Sequence, residues 1–204
     1  MEDVLDLYEQ PYDERRPVVC LDERPCQLVG EVITPLPMKP GQVQRSDYEY
    51  VRNGVATLFV AVEPLTGKRL LKVTSRRTRE DYAEFMREVS REWGTSERIC
   101  LVQDNLNTHT AGSFYEAFSA EEAFALASCF EMHYTPKKGS WLNMAEIEIS
   151  AIARQCLDRR IESEDRLSRE IASYSALRQG VQLTWRFTKN DARQKLARHY
   201  SQST

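Results

Sequence analysis

The chain has 204 residues, room for one domain or a domain with an appendage at about 150 residues per domain. Hydrophobic residues make up 41% and charged residues 29%, enough to build a core and to exclude an intrinsically disordered chain. A net charge of −3, from 28 basic and 31 acidic residues, gives no global attraction to nucleic acid, so any such role must come from local placement. No run reaches the roughly 18 to 20 apolar residues that cross a bilayer, and the start, MEDVLDLYEQ, is acidic where a secretory signal is basic and then apolar, which points to the cytoplasm. The five cysteines (Cys20, Cys26, Cys100, Cys129, Cys156) are odd in number and sit mostly in apolar runs, so they read as reduced core thiols.

Taken in chain order, residues 1–16 form a lead-in. The run from Pro17 to Glu23 is a short buried strand that ends at Asp22. From Arg24 to Asp47 the prolines 25, 35, 37 and 40 with Gly30 and Gly41 predict a long loop or weak edge strands. Val55–Val62 and Lys68–Thr74 flank Pro64 and Gly67 and read as an antiparallel hairpin. Thr78 caps an amphipathic helix with Tyr82, Phe85, Met86, Val89 and Trp93 inward, ended by Gly94. Arg98–Asp104 repeats the first strand's pattern, Ser113/Glu116 and Ser119/Glu122 offer capping boxes for one or two helices, and Phe130–Thr135 is a strand stopped by Pro136. Helices are predicted over Trp141–Leu157, over Glu164–Gln179 behind Ser163 with Leu167, Ile171, Tyr174 and Leu177 inward, and over Lys189–Tyr200. This order is α/β, a mixed sheet in one three-layer domain.

Asp22 and Asp104 both stand at the carboxyl ends of buried-type strands, where open α/β sheets collect ligands; an aspartate there also commonly closes a turn. A third acid follows from the helix begun at Trp141. With Leu142 at 0° and about 100° per residue, Glu146 falls near 40°, inside an apolar arc with Ala153, Leu157, Ile149, Cys156, Ala145 and Ile152. Glu148 falls near 240°, at the border of that arc and so toward solvent. An inward carboxylate needs a basic partner or a cation. If Asp22, Asp104 and Glu146 converge, Mg²⁺ resolves their repulsion, and two such ions about 4 Å apart suit in-line displacement at phosphorus.

Here the strings CLDE at Asp22, DYEYVRNG from Asp47, LFVAVEPLTGK from Leu58, VQDNLNTH from Val102 and HYTPKKGSWLNMAE from His133 to Glu146 resemble transposases of insertion-sequence family 630, in the mariner superfamily. WRFTKNDARQKL near the end is similar to the tail of one branch of that family. The resemblance covers nearly the whole chain. It implies a ribonuclease-H-like three-layer fold with a mixed five-stranded sheet and helices on both faces. It also implies a DDE catalytic set at Asp22, Asp104 and Glu146 holding Mg²⁺, with Mn²⁺ as a substitute, and a catalytic domain over residues 17–160 with a C-terminal helical extension over 161–204. By the same resemblance the activity is cleavage at insertion-sequence ends and joining to target DNA, the state is a dimer on two element ends, and the partners are DNA and no membrane. Members carry a helix-turn-helix region ahead of the catalytic domain, so an upstream subunit or reading frame is expected, or Met1 begins a truncated product. The alternatives are a simple nuclease and an idle fragment that acts only through DNA binding or oligomerisation.

Around the three acids, Asn105 is placed to orient Asp104 or a metal-bound water, His109 to reach the scissile phosphate, and Asn143, three residues before Glu146, to bond a carboxylate or a phosphate, though each also has a plain turn or cap role. Lys137 and Lys138 precede the helix and suit a phosphate. Arg45, Arg52, Arg76, Arg77 and Arg79 with Tyr48 and Tyr50 could line a DNA path, as they could a solvated face. Cys129 and His133, four apart on one strand face, lack a second ligand pair for zinc.

Overall fold

The structure is a computed structural model and describes residues 1–43, 45, 47–137, 139–195 and 197. Its elements run α1 (Glu2–Glu9), β1 (Val18–Glu31), β2 (Tyr50–Val62), β3 (Arg69–Thr74), α2 (Arg79–Glu92), β4 (Ile99–Gln103), α3 (Gly112–Ala117), α4 (Ala120–Ser128), β5 (Phe130–Tyr134), α5 (Ala145–Gln155), α6 (Glu164–Arg178) and α7 (Lys189–Lys195). The five strands form one sheet in the order β3-β2-β1-β4-β5. β2 runs antiparallel to both of its neighbours, β1 and β3, and β1, β4 and β5 are parallel. The sheet is therefore mixed, with helices on both faces, as the element order implied.

Alternation along the strands sorts the core into two layers. Val19 and Leu21 of β1, Phe59 and Ala61 of β2, and Ile99 and Leu101 of β4 pack with Tyr82, Phe85, Met86 and Val89 of α2 on one face. Leu58 and Val60 of β2 pack with Ile149 and Ile152 of α5 and with Leu167 and Ile171 of α6 on the other. Cys20, Val62, Cys100 and Val102 meet Val4 and Leu7 of α1 and Ala145 of α5 on that same face. A period of two thus fixes which face each strand-end carboxylate joins.

Several sequence-based expectations change. β1 does not end at Asp22 but runs through Pro25 to Glu31, in register with β2. Proline is tolerated because β4 pairs with β1 only at Val18–Cys20, so beyond Cys20 the strand has a free edge and needs no second donor row. The irregular stretch is confined to the connection to Tyr50, which holds isolated bridges Leu36–Arg45 and Lys39–Gln42. The lead-in contains α1, which sequence patterning did not reveal.

Thr78 and Asp81 form a reciprocal capping box on α2, and Ser119 and Glu122 do so on α4. Ser113 does not cap: α3 begins behind Ala111, and the Ser113 hydroxyl donates to the Thr108 carbonyl. The helix expected from Trp141 begins at Ala145, after a 3₁₀ turn over Ser140–Leu142. Ser163 caps α6 as expected, with Leu167, Ile171 and Tyr174 buried, but Leu177 is 84% exposed because at about 100° per residue Arg178, not Leu177, continues that stripe. α7 spans Lys189–Lys195; the remainder of the predicted final helix includes residues outside the described ones. No helix of the described residues is long and apolar enough to cross a membrane.

The β2–β3 turn is held from outside. Gly67 has φ +72°, its N–H donates to the Glu63 carbonyl at 2.9 Å, and the Gly180 N–H donates to the Gly67 carbonyl at 3.1 Å. A Cβ on Gly67 would lie 2.4 Å from the Val181 carbonyl carbon, so both the backbone conformation and the space demand glycine. Gly67→Ala is therefore expected to lose more than about 1 kcal/mol of stability, measured by urea unfolding.

Candidate active site

Asp22 and Asp104 share the sheet face covered by α5, since Asp22 has the parity of Cys20, and Asp104 that of Cys100 and Val102. β1 and β4 are parallel neighbours paired over Val18–Cys20 and Cys100–Val102, so Asp22 and Asp104 each stand two residues past the last paired position. Asp22 is 9% exposed. Burial, opposed by a hydrogen bond from the Glu23 N–H and reinforced by the charges of Glu146, Glu23 and Asp104, pushes its carboxyl up to about 7. Asp22 thus stands within electrostatic reach of the two other sequence-predicted acids, Asp104 and Glu146, although among the described residues the three carboxylates do not close to within 4.8 Å of one another.

Each acid is held differently. The Asn143 amide donates to the Leu21 carbonyl at 2.7 Å and to the Asp22 carboxylate at 3.4 Å, while its oxygen accepts from the Ala145 N–H at 3.1 Å. One buried side chain therefore ties the end of the first strand to the start of α5, and it touches Asp22 rather than Glu146. Asp104 accepts from the Leu106 N–H at 3.3 Å and lies 2.5 Å from His109 Nδ1. His109 is 1% exposed, and its Nε2 is 2.9 Å from Glu23; both contacts are ion-pair distances out of line for ideal hydrogen bonds. Burial alone would lower the imidazole pKa, but Asp104 and Glu23 together push it up to about 9, so it is a cation at neutral pH. Its ring stacks on Tyr82 with centroids 4.9 Å apart, and the Tyr82 hydroxyl donates to Gln103, whose amide donates to the His109 carbonyl.

Glu23 was not among the candidates. It lies on the α2 face, with its second oxygen 3.1 Å from Arg77. The adjacent acid pair in CLDE was the only sequence signal for it, and alternation sends its two side chains to opposite faces. Asn105 is exposed at the rim of a cavity of about 420 Å³ that is also lined by Asp104, Leu106, Thr135, Lys137 and Ser140. It does not orient Asp104, a task taken by His109 and the Leu106 N–H.

Glu148 departs most from expectation. It is fully buried, 3.5 Å from Arg69 and 3.4 Å from Arg178, whereas Glu146 is only partly buried. The reason is the true helix start. Leu142 and Leu157, which set the predicted arc, lie outside α5, and the face its own residues bury carries Ala145, Glu148, Ile149, Ala151 and Ile152. Glu146 stands at the edge of that face. Glu148 takes the basic partners, and among the described residues no lysine or arginine pairs with Asp22, Asp104 or Glu146. Three carboxylates without a lysine or arginine partner are a donor set that fits hard, oxygen-loving divalent cations.

The basic candidates scatter. Arg77 reaches the site through Glu23, Arg79 pairs with Glu116, and Arg52 lies over the Tyr50 ring. Arg45 is exposed beyond the sheet, and Lys137 is exposed at the cavity rim. Lys138 lies outside the described residues. Cys129 precedes β5, and the thiol near His133 is that of Cys100. Cys100, Glu131 and His133 offer ligand atoms within 4.8 Å of one another, but Arg16 pairs with Glu131 at 2.5 Å and lies 3.8 Å from the thiol, so the chain itself supplies that cluster's cation.

A five-stranded mixed sheet flanked by helices, with acids just past the paired stretch of two adjoining parallel strands and a third on the covering helix, defines the ribonuclease-H-like class. The chain belongs to the DDE superfamily endonucleases, whose family model matches residues 17–168. No curated protein matches it in sequence. Among solved structures, the Mos1 mariner paired-end complex with Mn is 18% identical, with a TM-score of 0.57 over 88% of this chain and 53% of that one. The Mos1 transposase catalytic domain with Raltegravir and Mg is 14% identical, with a TM-score of 0.54 over 86% of this chain and 78% of that one. The Mos1 strand transfer complex gives 16% and 0.57, over 86% and 51%. This chain thus spans about half the length of the chains in the paired-end and strand transfer complexes.

With no cation bound, Asp22 sets a pH dependence. Between the ordinary carboxyl value of 3.8 and about 7, the folded chain keeps a proton that the unfolded chain has released, so this group's contribution to stability rises as pH falls through 7. His109, raised from 6.5 to about 9, acts in the same direction. Thermal unfolding in chelator is expected to show a higher Tm at pH 6 than at pH 8, and Asp22→Asn to raise the Tm at pH 8 and flatten the difference.

Proposed function

We propose that this chain is the catalytic part of a transposase, with Asp22, Asp104 and Glu146 as its catalytic and metal-holding acids. The observation that carries the reading is that Asp22 stands within electrostatic reach of Asp104 and Glu146, its carboxyl pushed up by burial first and by their charge second, while among the described residues no lysine or arginine pairs with any of the three. A chain kept only for docking has no need of so costly a cluster, which disfavours an idle fragment. When bound there, Mg²⁺ or Mn²⁺ would activate a water or a 3′-hydroxyl and stabilise the attacking and leaving oxygens of an in-line displacement at phosphorus.

The chain's own residues prepare that chemistry. Asn143 holds Asp22 to the N-terminus of α5, and His109 holds Asp104 in place while its charge offsets part of the acids' repulsion. Asn105 and Lys137 face the cavity beside Asp104 and suit a DNA phosphate, together with Lys138 next in sequence. Arg45 and Arg52, on and beyond the β1–β2 ribbon, are assigned to DNA further from the reaction. Membership of insertion-sequence family 630, action on element ends as a homodimer, a partnership with an upstream helix-turn-helix region, and work in a bacterial or archaeal nucleoid belong to the same reading. It is supported by the sequence motifs and by the likeness to chains solved in paired-end and strand transfer complexes. Within it, residues 17–160 carry the chemistry and residues 161–204 pack on them.

The test is incubation of the purified chain with pre-nicked element-end DNA and Mn²⁺. Several kcal/mol of transition-state stabilisation corresponds to about 100-fold or more in rate, so Asp104→Asn is expected to lose strand cleavage and joining by at least about that factor. Equal activity in the two proteins would overturn the proposal. Millimolar Mg²⁺ or Mn²⁺ is expected to raise the Tm of the wild type by mass action and to leave that of Asp104→Asn nearly unmoved.

A further inference from the structure

α5 carries two acids, and the chemistry above uses only one. Glu148 and Arg69 have side chains with no solvent exposure, and Arg178, 24% exposed, closes the group from α6. The arrangement is an expensive one: Arg69 Nε and Nη1 and Glu148 Oε1 have no hydrogen-bond partner among the described residues, although Arg69 Nη2 donates to the Val181 carbonyl at 2.7 Å. Replacing such a buried pair with apolar side chains is often neutral or stabilising, so folding strength alone does not account for it.

Geometry supplies a reason. Apart from Glu148, the face that α5 buries is alanine and isoleucine, and aliphatic contacts have little directional preference. A small rotation of the helix about its axis would leave them nearly unchanged yet swing Glu146, at the edge of that face, away from Asp22. Two buried polar side chains of this segment oppose such a rotation. One is Asn143 at the helix start. The other is Glu148, two residues beyond Glu146, gripped by a strand on one side and a helix on the other.

We propose that Glu148, with Arg69 and Arg178, is a positioning residue that fixes the rotation of α5 and thereby aims Glu146 at Asp22 and Asp104. The inference rests on the reading of those three acids as a divalent-cation site. Arg178 and Val181 lie beyond residue 168, where the family match ends, so the C-terminal extension takes part in shaping the site.

The experiment compares Mn²⁺ binding, by calorimetry and electron paramagnetic resonance, with thermal stability in the wild type, Glu148→Gln, Arg178→Met and the double variant Glu148→Met/Arg69→Met. Loss of groups that orient ligands typically costs about 10- to 100-fold in metal affinity. Glu148→Gln is expected to weaken Mn²⁺ binding at least tenfold on that scale and to lower the Tm, and Arg178→Met to do both to a smaller degree. The double variant, with an apolar pair in place of the ionic one, is expected to recover the Tm but not the Mn²⁺ affinity. Recovery of both, or unchanged Mn²⁺ affinity in Glu148→Gln and Arg178→Met beside a wild type that binds, would overturn the positioning role alone. A wild type that binds no Mn²⁺ would overturn the cation reading and this inference with it.

Discussion

Mutual repulsion among carboxylates is the constraint around which this molecule is arranged. Asp22 cannot be buried beside Asp104 and Glu146 without cost, and its raised pKa records that cost. The fold keeps the group together with neutral and cationic props: an asparagine amide on Asp22 and an imidazolium between Asp104 and Glu23. The props leave the charge uncompensated at Glu146 and Asp22, where a hard cation with oxygen preference is the natural complement.

Strand alternation turns this chemistry into architecture. One residue of shift along β1 would exchange Asp22 for Glu23 and move the acid from the α5 face to the α2 face. The register with β2, eleven Cα partners long from Cys20 to Glu31, prevents that slip. The same alternation places Glu23 where it can hold the far nitrogen of His109, so a single dipeptide serves both faces of the sheet at once.

Much of this was legible in the residues, with particular failures. The aspartate that closes β4, the hairpin and the capped α2 follow from apolar runs and turn chemistry, whereas Asp22 lies inside a strand that continues to Glu31, and the motif strings select Glu146. The helical wheel reached the same residue on a faulty frame, because it extended the helix over a 3₁₀ turn and counted Leu142 as core of α5. That error hid Glu148, whose burial depends on Arg69, far away in the chain, and no local pattern announces such a pairing. Pro25 misled for a related reason: proline forbids a doubly paired strand, and only the sheet order reveals that β1 has a free side there.

The contacts that hold Arg69, the partner of Glu148 on α5, come from more than a hundred residues further along the chain. Arg69 reaches the Val181 carbonyl, the Gln179 amide donates to the Arg69 carbonyl, and Gly180 closes on Gly67. The residues that hold Arg69, the partner of Glu148, thus follow the last of the three acids by some thirty-five positions, so a break in the chain between α5 and Gln179 would leave every acid in place and still part that partner from its anchor.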